Sequence, residues 1–574
     1  MRGLLIAQFC GAFNDNAWKF MVALLGIRAA TAALAPGQDL ETASQTQTTL
    51  AMVVFTLPLV LTSFVAGFFA DRISKRTVII TMKAVEVLLM AAATLALLAN
   101  PTGGLWALVV LACMGVHSAI FSPAKYGILP ELLPHEQLAR GNSILELFTF
   151  LAILTGTTAG GFLLAGAGTQ PWLAPFALTL LALGGFAAAW AVPPVAPARD
   201  AGGLFDTLRG ALSALQADRL LRLAITGAVF FWTIASLVVQ NVLVYAKAVL
   251  GLSDALATVP SALISVGIGL GALVVGRLSR SRVEYGLVPL GAAGVATFLL
   301  ILGWWTPPFS GTLALMIALG MSSALIFIPI NALVQWRAPH DRRGSVIALE
   351  NICVFTGILL GSLSGGILAN VGLSTVGIFL AAALVTTIGT TWAMWLMPET
   401  FLRLVLVLLT NTIYRLRIVG QQQVPVTGGA ILVPYLISFI DGFLLIASLD
   451  RPIRFVVDAQ YVHHRLFQPF MRALQVIPIS SAGGPRVILR ALREAGHALD
   501  AGALVCIFPE GQITRTGNLL PFRRGFERIV KGRAVPVLPV HLDRVWGSIF
   551  SFVGGRFVTK WPERVPYPVT VSFG

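Results

Sequence analysis

Two carboxylates in the last third of the chain stand where acids do chemistry. Asp441 interrupts the apolar run "ILVPYLISFIDGFLL" (431–445), with Ser438 three residues before it, and Glu510 closes a second apolar run, "LVCIFPEG" (504–511), just before Gly511. A lone acid in such a place orients a neighbouring base or accepts from substrate donors. A third acid, Asp15, lies near the start of the chain, flanked by Asn14 and Asn16 in "FNDNAWKF" (13–20). A charge deep in an apolar helix costs a few kcal/mol and faces a cavity or a partner. Lys83 and Glu86, three apart in another apolar segment, are spaced to pair with each other. Glu146, Gln240, Asn241 and Glu350 add polarity at other depths.

The elements that must position these groups are mostly membrane helices. With 574 residues, 56% hydrophobic and 11% charged, and a mean hydropathy of +0.84, the chain is a polytopic membrane protein. Spans of about 20 residues give twelve helices, near 3–34, 47–70, 77–99, 104–122, 142–166, 171–192, 221–249, 255–277, 286–305, 311–334, 345–369 and 374–397. The first segment has no small-residue cleavage site and is expected to stay. Cys10, Cys113, Cys353 and Cys506 lie in apolar runs without paired spacing, so four plain buried thiols are expected and no metal site.

The net charge of +15 does not mark a nucleic-acid binder, because its basic residues collect in alternate loops. Loops after even-numbered helices carry Arg72, Lys75 and Arg76; Lys125 and Arg140; Arg199, Arg209 and Arg219; Arg277, Arg280 and Arg282; Arg337, Arg342 and Arg343. Loops after odd-numbered helices carry almost none. The positive-inside rule then puts both termini, and everything after residue 398, in the cytoplasm.

An internal repeat supports the count. "FSPAKYGILPELLPHEQLARGNSILE" (121–146) and "FIPINALVQWRAPHDRRGSVIALE" (327–350) share a Phe-x-Pro opening, a Pro-His-acid step, an Arg before a Gly and a closing Leu-Glu. Each marks the passage from fourth to fifth helix of a six-helix half, the arrangement from which transporters build a midplane site between rocking units.

"GFFADRISKR" (67–76) resembles the loop between the second and third helices of the major facilitator superfamily. The resemblance implies that Gly67, Asp71, Arg72 and Arg76 latch the halves, with "GRLSRSR" (276–282) a degraded echo. Within that superfamily "FNDNAWKF" and "SPAKYGILPEL" (122–132) resemble the lysophospholipid transporters, over about the first 398 residues. That family moves lysophospholipids to the inner leaflet of the bacterial inner membrane. A zwitterionic ethanolamine phosphate needs both signs of charge, and its single acyl chain an apolar slot. Asn14, Asp15, Asn16, Lys83, Glu86, Lys125, Glu146, Gln240, Asn241 and Glu350 are the candidates, with helix glue as the alternative for Lys83 and Glu86.

After residue 398 short strand-like runs alternate with Arg-bearing helical stretches, which defines a separate α/β domain. The expected division is 1–192, a linker 193–220, 221–398 and 399–574, with 402–418 an interfacial helix tethering the last domain to the cytoplasmic leaflet. This domain resembles the glycerolipid acyltransferases of the 1-acylglycerol-phosphate type, whose third block is intact as Phe508, Pro509, Glu510 and Gly511. The whole then looks like the bacterial fusion of a lysophospholipid transporter to a 2-acylglycerophosphoethanolamine acyltransferase, and the fold expected is a twelve-helix, 6+6 major facilitator bundle followed by a cytoplasmic α/β acyltransferase domain.

That resemblance implies a His as general base, an Asp that orients it, and Glu510 and Gly511 beside the glycerol phosphate. Ser438 and Asp441 are retained, but Tyr435 stands at the Asn position and Leu436 at the His position. Leucine takes no proton, so a crippled acyltransferase is expected. His541 is the best substitute base, ahead of His463, His464 and His497. Ile513 replaces an Arg of the family, leaving Arg515 next for the phosphate. No bound cofactor is implied. The donor would be an acyl thioester of acyl carrier protein or CoA, supplied by a separate acyl-carrier-protein synthetase, since the chain stops at "VTVSFG" without that module or as a fragment. The competing reading is a transporter whose second domain only binds lipid or regulates. A proton-coupled drug exporter explains twelve helices but not the second domain.

Overall fold

The computed structural model describes residues 1–34, 39–133, 138–194, 204–279, 286–339, 343–396, 413–425, 428–438, 440–449, 451–462, 471, 474–480, 483–555 and 566–574. They form two compact units, Met1–Thr391 and Trp392–Gly574.

The first unit is helical. Its first half holds α1 (Arg2–Ala32), α2 (Leu40–Arg72), α3 (Lys75–Ala99), α4 (Gly104–Gly127), α5 (Leu138–Gly166) and α6 (Leu173–Trp190). After α7 (Leu204–Ala217) come α8 (Arg219–Val244), α9 (Val259–Ser279), α10 (Leu287–Trp304), α11 (Phe309–Arg337), α12 (Arg343–Asn370) and α13 (Thr375–Leu396). Eleven helices among the described residues are long and apolar enough to cross a membrane. The twelfth long helix, α1, falls short in apolarity because Gln8, Asn14, Asp15, Asn16 and Lys19 lie along it, yet it packs against α2, α4, α5 and α6. Its polar groups therefore face protein, which is where a bilayer tolerates them.

The twelve expected segments fall on these helices, and the repeated Phe-x-Pro places Pro123 inside α4 and Pro329 inside α11, the fourth helix of each half. The segment between the halves, 193–220, holds α7, whose Ala211 and Ala214 are buried with Leu221, Leu333 and Val346, and one expectation needs correction. Cys113 is exposed and Cys353 half-buried, because apolar positions on outward helix faces are covered by lipid rather than protein.

Small residues set the close approaches. A Cβ on Gly267 of α9 would lie 2.9 Å from the Gly320 Cα of α11, and the reverse distance is the same, so both backbones meet where only glycine fits. Between halves, α2 packs on α12 and α8, and α5 on α9. Their polar contacts lie at the end carrying the Asn370–Thr375 turn. There Arg28 pairs with Asp254, which also pairs with Lys247 at 2.6 Å. Glu41 accepts from the Thr375 amide at 2.6 Å and its hydroxyl at 2.9 Å.

The second unit is a seven-stranded sheet in the order β1-β7-β6-β2-β5-β3-β4: β1 (Tyr414–Val419), β2 (Ala430–Pro434), β3 (Ile453–Asp458), β4 (Ile477–Ile479), β5 (Leu504–Ile507), β6 (Val537–Asp543) and β7 (Tyr567–Phe573). All neighbours are parallel except β6 and β7. The central strands read as continuous apolar runs because both faces are covered. Leu504 and Cys506 of β5 meet one cluster with Leu444 and Leu445 of α14 (Asp441–Ser448). Val505 and Ile507 meet another with Ala491, Leu492 and Ala495 of α15 (Gly484–Asp500) and Ile529 of α16 (Gly525–Val530). The expected interfacial helix over 402–418 is overturned at its end. Tyr414–Val419 is strand β1, paired along its length with β7, since alternating "YRLRIV" suits a sheet edge. Residues 402–412 lie outside the described residues.

Candidate functional site

In the second unit β2 and β5 are adjacent and parallel, so the chain leaves both at the same edge, where open α/β sheets bind ligands. The 435–441 loop leaves β2 and the Pro509–Gly511 turn leaves β5. Asp441 begins α14, fully buried. Its Oδ2 accepts from the Ile437 amide at 2.6 Å and the Ser438 amide at 2.8 Å, and its Oδ1 from the Ser438 hydroxyl at 2.7 Å. Burial pushes its carboxyl up to about 7, against the pull of those three donors, with Glu510 pushing the same way. Glu510 is 2% exposed. Burial raises it too, with the Leu520 and Leu436 amides nearby opposing the shift, although among the described residues neither Glu510 oxygen accepts a hydrogen bond of ordinary geometry. Gly511 sits at φ +67°, the left-handed region, with the Arg523 side chain laid over it.

Leu436 is half-buried, and its carbonyl accepts from the Thr514 amide at 3.1 Å. Tyr435 donates its hydroxyl to the Leu542 carbonyl at 2.5 Å, and its ring lies 5.3 Å from that of His541. Burial pushes this phenol up to about 12. Among the substitute bases, His541 is thus beside the loop, on the exposed side of β6. His497 is exposed near the end of α15. His463 and His464 lie outside the described residues. Arg515 is exposed and Ile513 half-buried on the segment after Gly511.

In the first unit the candidates fall into separate groups. Lys83 and Glu86 are fully buried and paired at 2.6 Å, and Asn14 donates to the other Glu86 oxygen at 2.8 Å. The Lys83 ammonium lies 4.9 Å from the Phe121 ring, and His117, 4.0 Å from Glu86, donates its Nε2–H to the Met82 carbonyl at 2.9 Å. Asp15 faces another way and is only partly buried. It accepts from the Ser118 hydroxyl at 2.5 Å, while its Oδ1 has no partner. One turn on, Lys19 donates to Asn16 at 3.1 Å and lies 5.1 Å from the Phe55 ring. Gln240 donates to the Ser362 carbonyl at 2.9 Å and Asn241 to the Thr375 carbonyl at 2.8 Å. Glu350 is buried on α12, and Lys125 is half-buried near the end of α4. Arg76 donates to the Val192 carbonyl at 2.7 Å. The side chains of Gly67, Asp71, Arg72 and Glu146 lie outside what the structure describes. Lys19 and Ser118 escaped the sequence reading as site residues, although Lys19 stands four after Asp15, one helical turn along the same face.

Residues 4–362 match the Major Facilitator Superfamily, and residues 415–543 match an acyltransferase family. That defines a multi-pass transporter fold with an acyltransferase domain after it. The lysophospholipid transporter LplT of Photorhabdus laumondii is 30% identical over 408 residues, 68% of this chain and 94% of the relative. LplT of Escherichia coli is 29% identical over 405 residues, 68% and 95%. The chain belongs to the Major Facilitator Superfamily, in the family of these two relatives. A POT family transporter in complex with a thioalcohol-conjugated peptide shares the fold, with a TM-score of 0.52 at 12% identity, covering 69% of this chain and 96% of that one.

Proposed function

We propose that the first unit moves lysophospholipid to the cytoplasmic leaflet of a bacterial inner membrane, and that the second is built to reacylate it there. The observation that carries the transport reading is the partly open face of α1, where Asp15 keeps an unpartnered oxygen and Lys19 stands one turn away. A carboxylate and an ammonium at that spacing complement the amine and the phosphate of a zwitterionic headgroup. Lys83 and Glu86, already saturated by each other and by Asn14, act as glue within the first half on this reading. Gly67, Asp71, Arg72 and Arg76 latch the halves at the cytoplasmic end, and both termini face the cytoplasm.

For the second unit, the lysolipid hydroxyl oxygen attacks the carbonyl carbon of an acyl thioester, on acyl carrier protein or CoA. The new ester forms as the C–S bond breaks, and the hydroxyl proton passes to a base and then to the thiolate. Leu436 occupies the position of that base, so turnover by this chain is slow. The loss of a general base costs on the order of 10²- to 10⁴-fold.

The test is reconstitution of the full chain in sealed vesicles with labelled lysophosphatidylethanolamine, following movement and acylation separately. Asp15→Ala abolishes movement while the amount of folded protein is unchanged. Normal movement by that variant removes Asp15 from the path.

A further inference from the structure

The segment from Gly511 to Arg524 is a pinned loop with an apolar tip. One foot is tied by the Thr514 amide to the Leu436 carbonyl at 3.1 Å, the other by the Arg523 amide to the Pro509 carbonyl at 2.9 Å. Inside it, the Thr514 hydroxyl donates to the Asn518 carbonyl at 2.8 Å and accepts from the Gly517 amide at 3.1 Å. Gly517, at φ +81°, lies so close to Trp546 that a Cβ would fall 2.7 Å from the indole. These contacts fix the base and middle of the loop and leave its tip facing outward. Leu519 is 64% exposed and Phe522 47%. Arg515, Arg523 and Arg524 are exposed around them, with Arg528 and Lys531 just beyond and Glu527 the acid among them. Among the described residues from 413 onward the other large exposed apolar side chains, Val419, Val487 and Val537, stand singly.

We propose that the Leu519–Phe522 tip inserts into the headgroup region of an anionic bilayer, with the surrounding arginines on lipid phosphates, so that the Asp441 and Glu510 edge opens directly onto the leaflet. Apolar side chains ringed by basic ones match the boundary between acyl chains and anionic headgroups. An acidic carrier protein would satisfy the arginines but would leave the tip without an apolar partner. The loop roots on the two segments that form the site, Leu436 and Pro509, which makes it the rim of that site. The inference rests on reading the site as one that takes a membrane lipid.

The experiment places spin labels at Leu519→Cys, Phe522→Cys and, as reference, Val487→Cys in the full chain with Cys113 and Cys353 changed to Ala. Collision with oxygen and with an aqueous nickel complex is compared in vesicles of phosphatidylethanolamine and phosphatidylglycerol. Labels at 519 and 522 are expected to show an oxygen-to-nickel ratio several-fold above that at 487, falling when Arg523→Gln and Arg524→Gln are added or when the vesicles are neutral phosphatidylcholine. Nickel access at 519 and 522 equal to that at 487 overturns the proposal. Protection of both labels by acyl carrier protein in detergent, without protection by anionic vesicles, also overturns it. Because the readout needs no turnover, an inserted tip without acylation of lysolipid sinks the enzymatic reading alone. As a second measurement, Leu519→Ser with Phe522→Ser is expected to raise the KM for vesicle-borne lysolipid and leave thermal unfolding unchanged; an unaltered KM overturns the proposal.

Discussion

Asp15 and Asp441 are both lone acids in apolar runs, and the structure treats them oppositely. Asp441 spends both oxygens on its own loop, on the Ile437 and Ser438 amides and the Ser438 hydroxyl. Asp15 gives one oxygen to Ser118 and leaves the other without a partner. Buried polar atoms are normally satisfied, so the saturated Asp441 is part of the loop's architecture, whereas Asp15 keeps an oxygen free to accept. The acyltransferase loop therefore keeps its shape without the imidazole that Asp441 would orient, while α1 presents an acceptor that its own bundle does not use.

The largest expected effect tests whether that loop is only a shape. Tyr435→Asn with Leu436→His places an imidazole on the loop that Asp441 closes, and acylation of lysolipid is expected to rise about 10²- to 10⁴-fold. Adding Asp441→Ala should lower it again, because the imidazole loses its orienting partner. The measurement is product formation from a labelled lysolipid and an acyl thioester. An unrepaired chain that already turns over at the repaired rate makes His541, beside Tyr435, the base.

In the unrepaired chain, Asp441→Ala is expected to act on stability rather than chemistry. Three buried donors lose their acceptor, a loss on the order of 3 kcal/mol, or about 10 °C in the melting of that unit. Transport should be unchanged. A variant that melts like the parent would show that the loop does not depend on this acid.

The same acid sets a pH dependence. Its folded-state value is raised from the usual carboxylate range to about 7, so between about 4 and 7 the folded state holds a proton that the unfolded chain has released. Stability of the second unit should therefore rise as the pH is lowered from 8 toward 5, with Glu510, also raised, contributing in the same direction. Asp441→Asn should flatten most of that slope in thermal unfolding. Stability that falls over this range in the parent would contradict the assignment.

What the sequence made legible follows from where the information lies. Twelve spans and the 6+6 repeat are written in hydropathy and in the Phe-x-Pro of α4 and α11, and these survive into the structure. The Pro509–Gly511 turn and the Asp441 loop are short and local, so their motifs point to them directly. Strand β1 was hidden because "YRLRIV" follows an apolar stretch that reads as helix, and only pairing with β7, far along the chain, makes it a strand. The contacts across the halves were hidden for the same reason. Lys247 and Asp254 lie close in the sequence, but Arg28 stands more than two hundred residues before them, and only the fold brings it to Asp254. Which acids were saturated could not be read either, since partners such as Ser118 for Asp15 lie on other helices.

The smallest effect concerns the seam between halves, where α2 and α8 meet α12. A Cβ on Gly365 would fall 1.8 Å from the Gln240 Nε2 and 2.6 Å from the Gln45 Nε2, so even alanine forces both amides aside. Gln45 is buried with neither polar atom partnered, and the Gln240 Oε1 is likewise unpartnered. At this layer the seam is therefore closed by fit, one turn along α2 from the Glu41–Thr375 hydrogen bonds. Overpacking of one methyl costs about 1–3 kcal/mol, which shifts a closed-to-open ratio by about 5- to 150-fold. Gly365→Ala should then lengthen the distance between spin labels at Gln170→Cys and Trp304→Cys, which stand on exposed positions of opposite halves. Lysolipid binding should persist while the rate of movement falls. An unchanged distance distribution would mean that the amides rearrange within the closed state, and Asp15 would have to be reached without this seam parting.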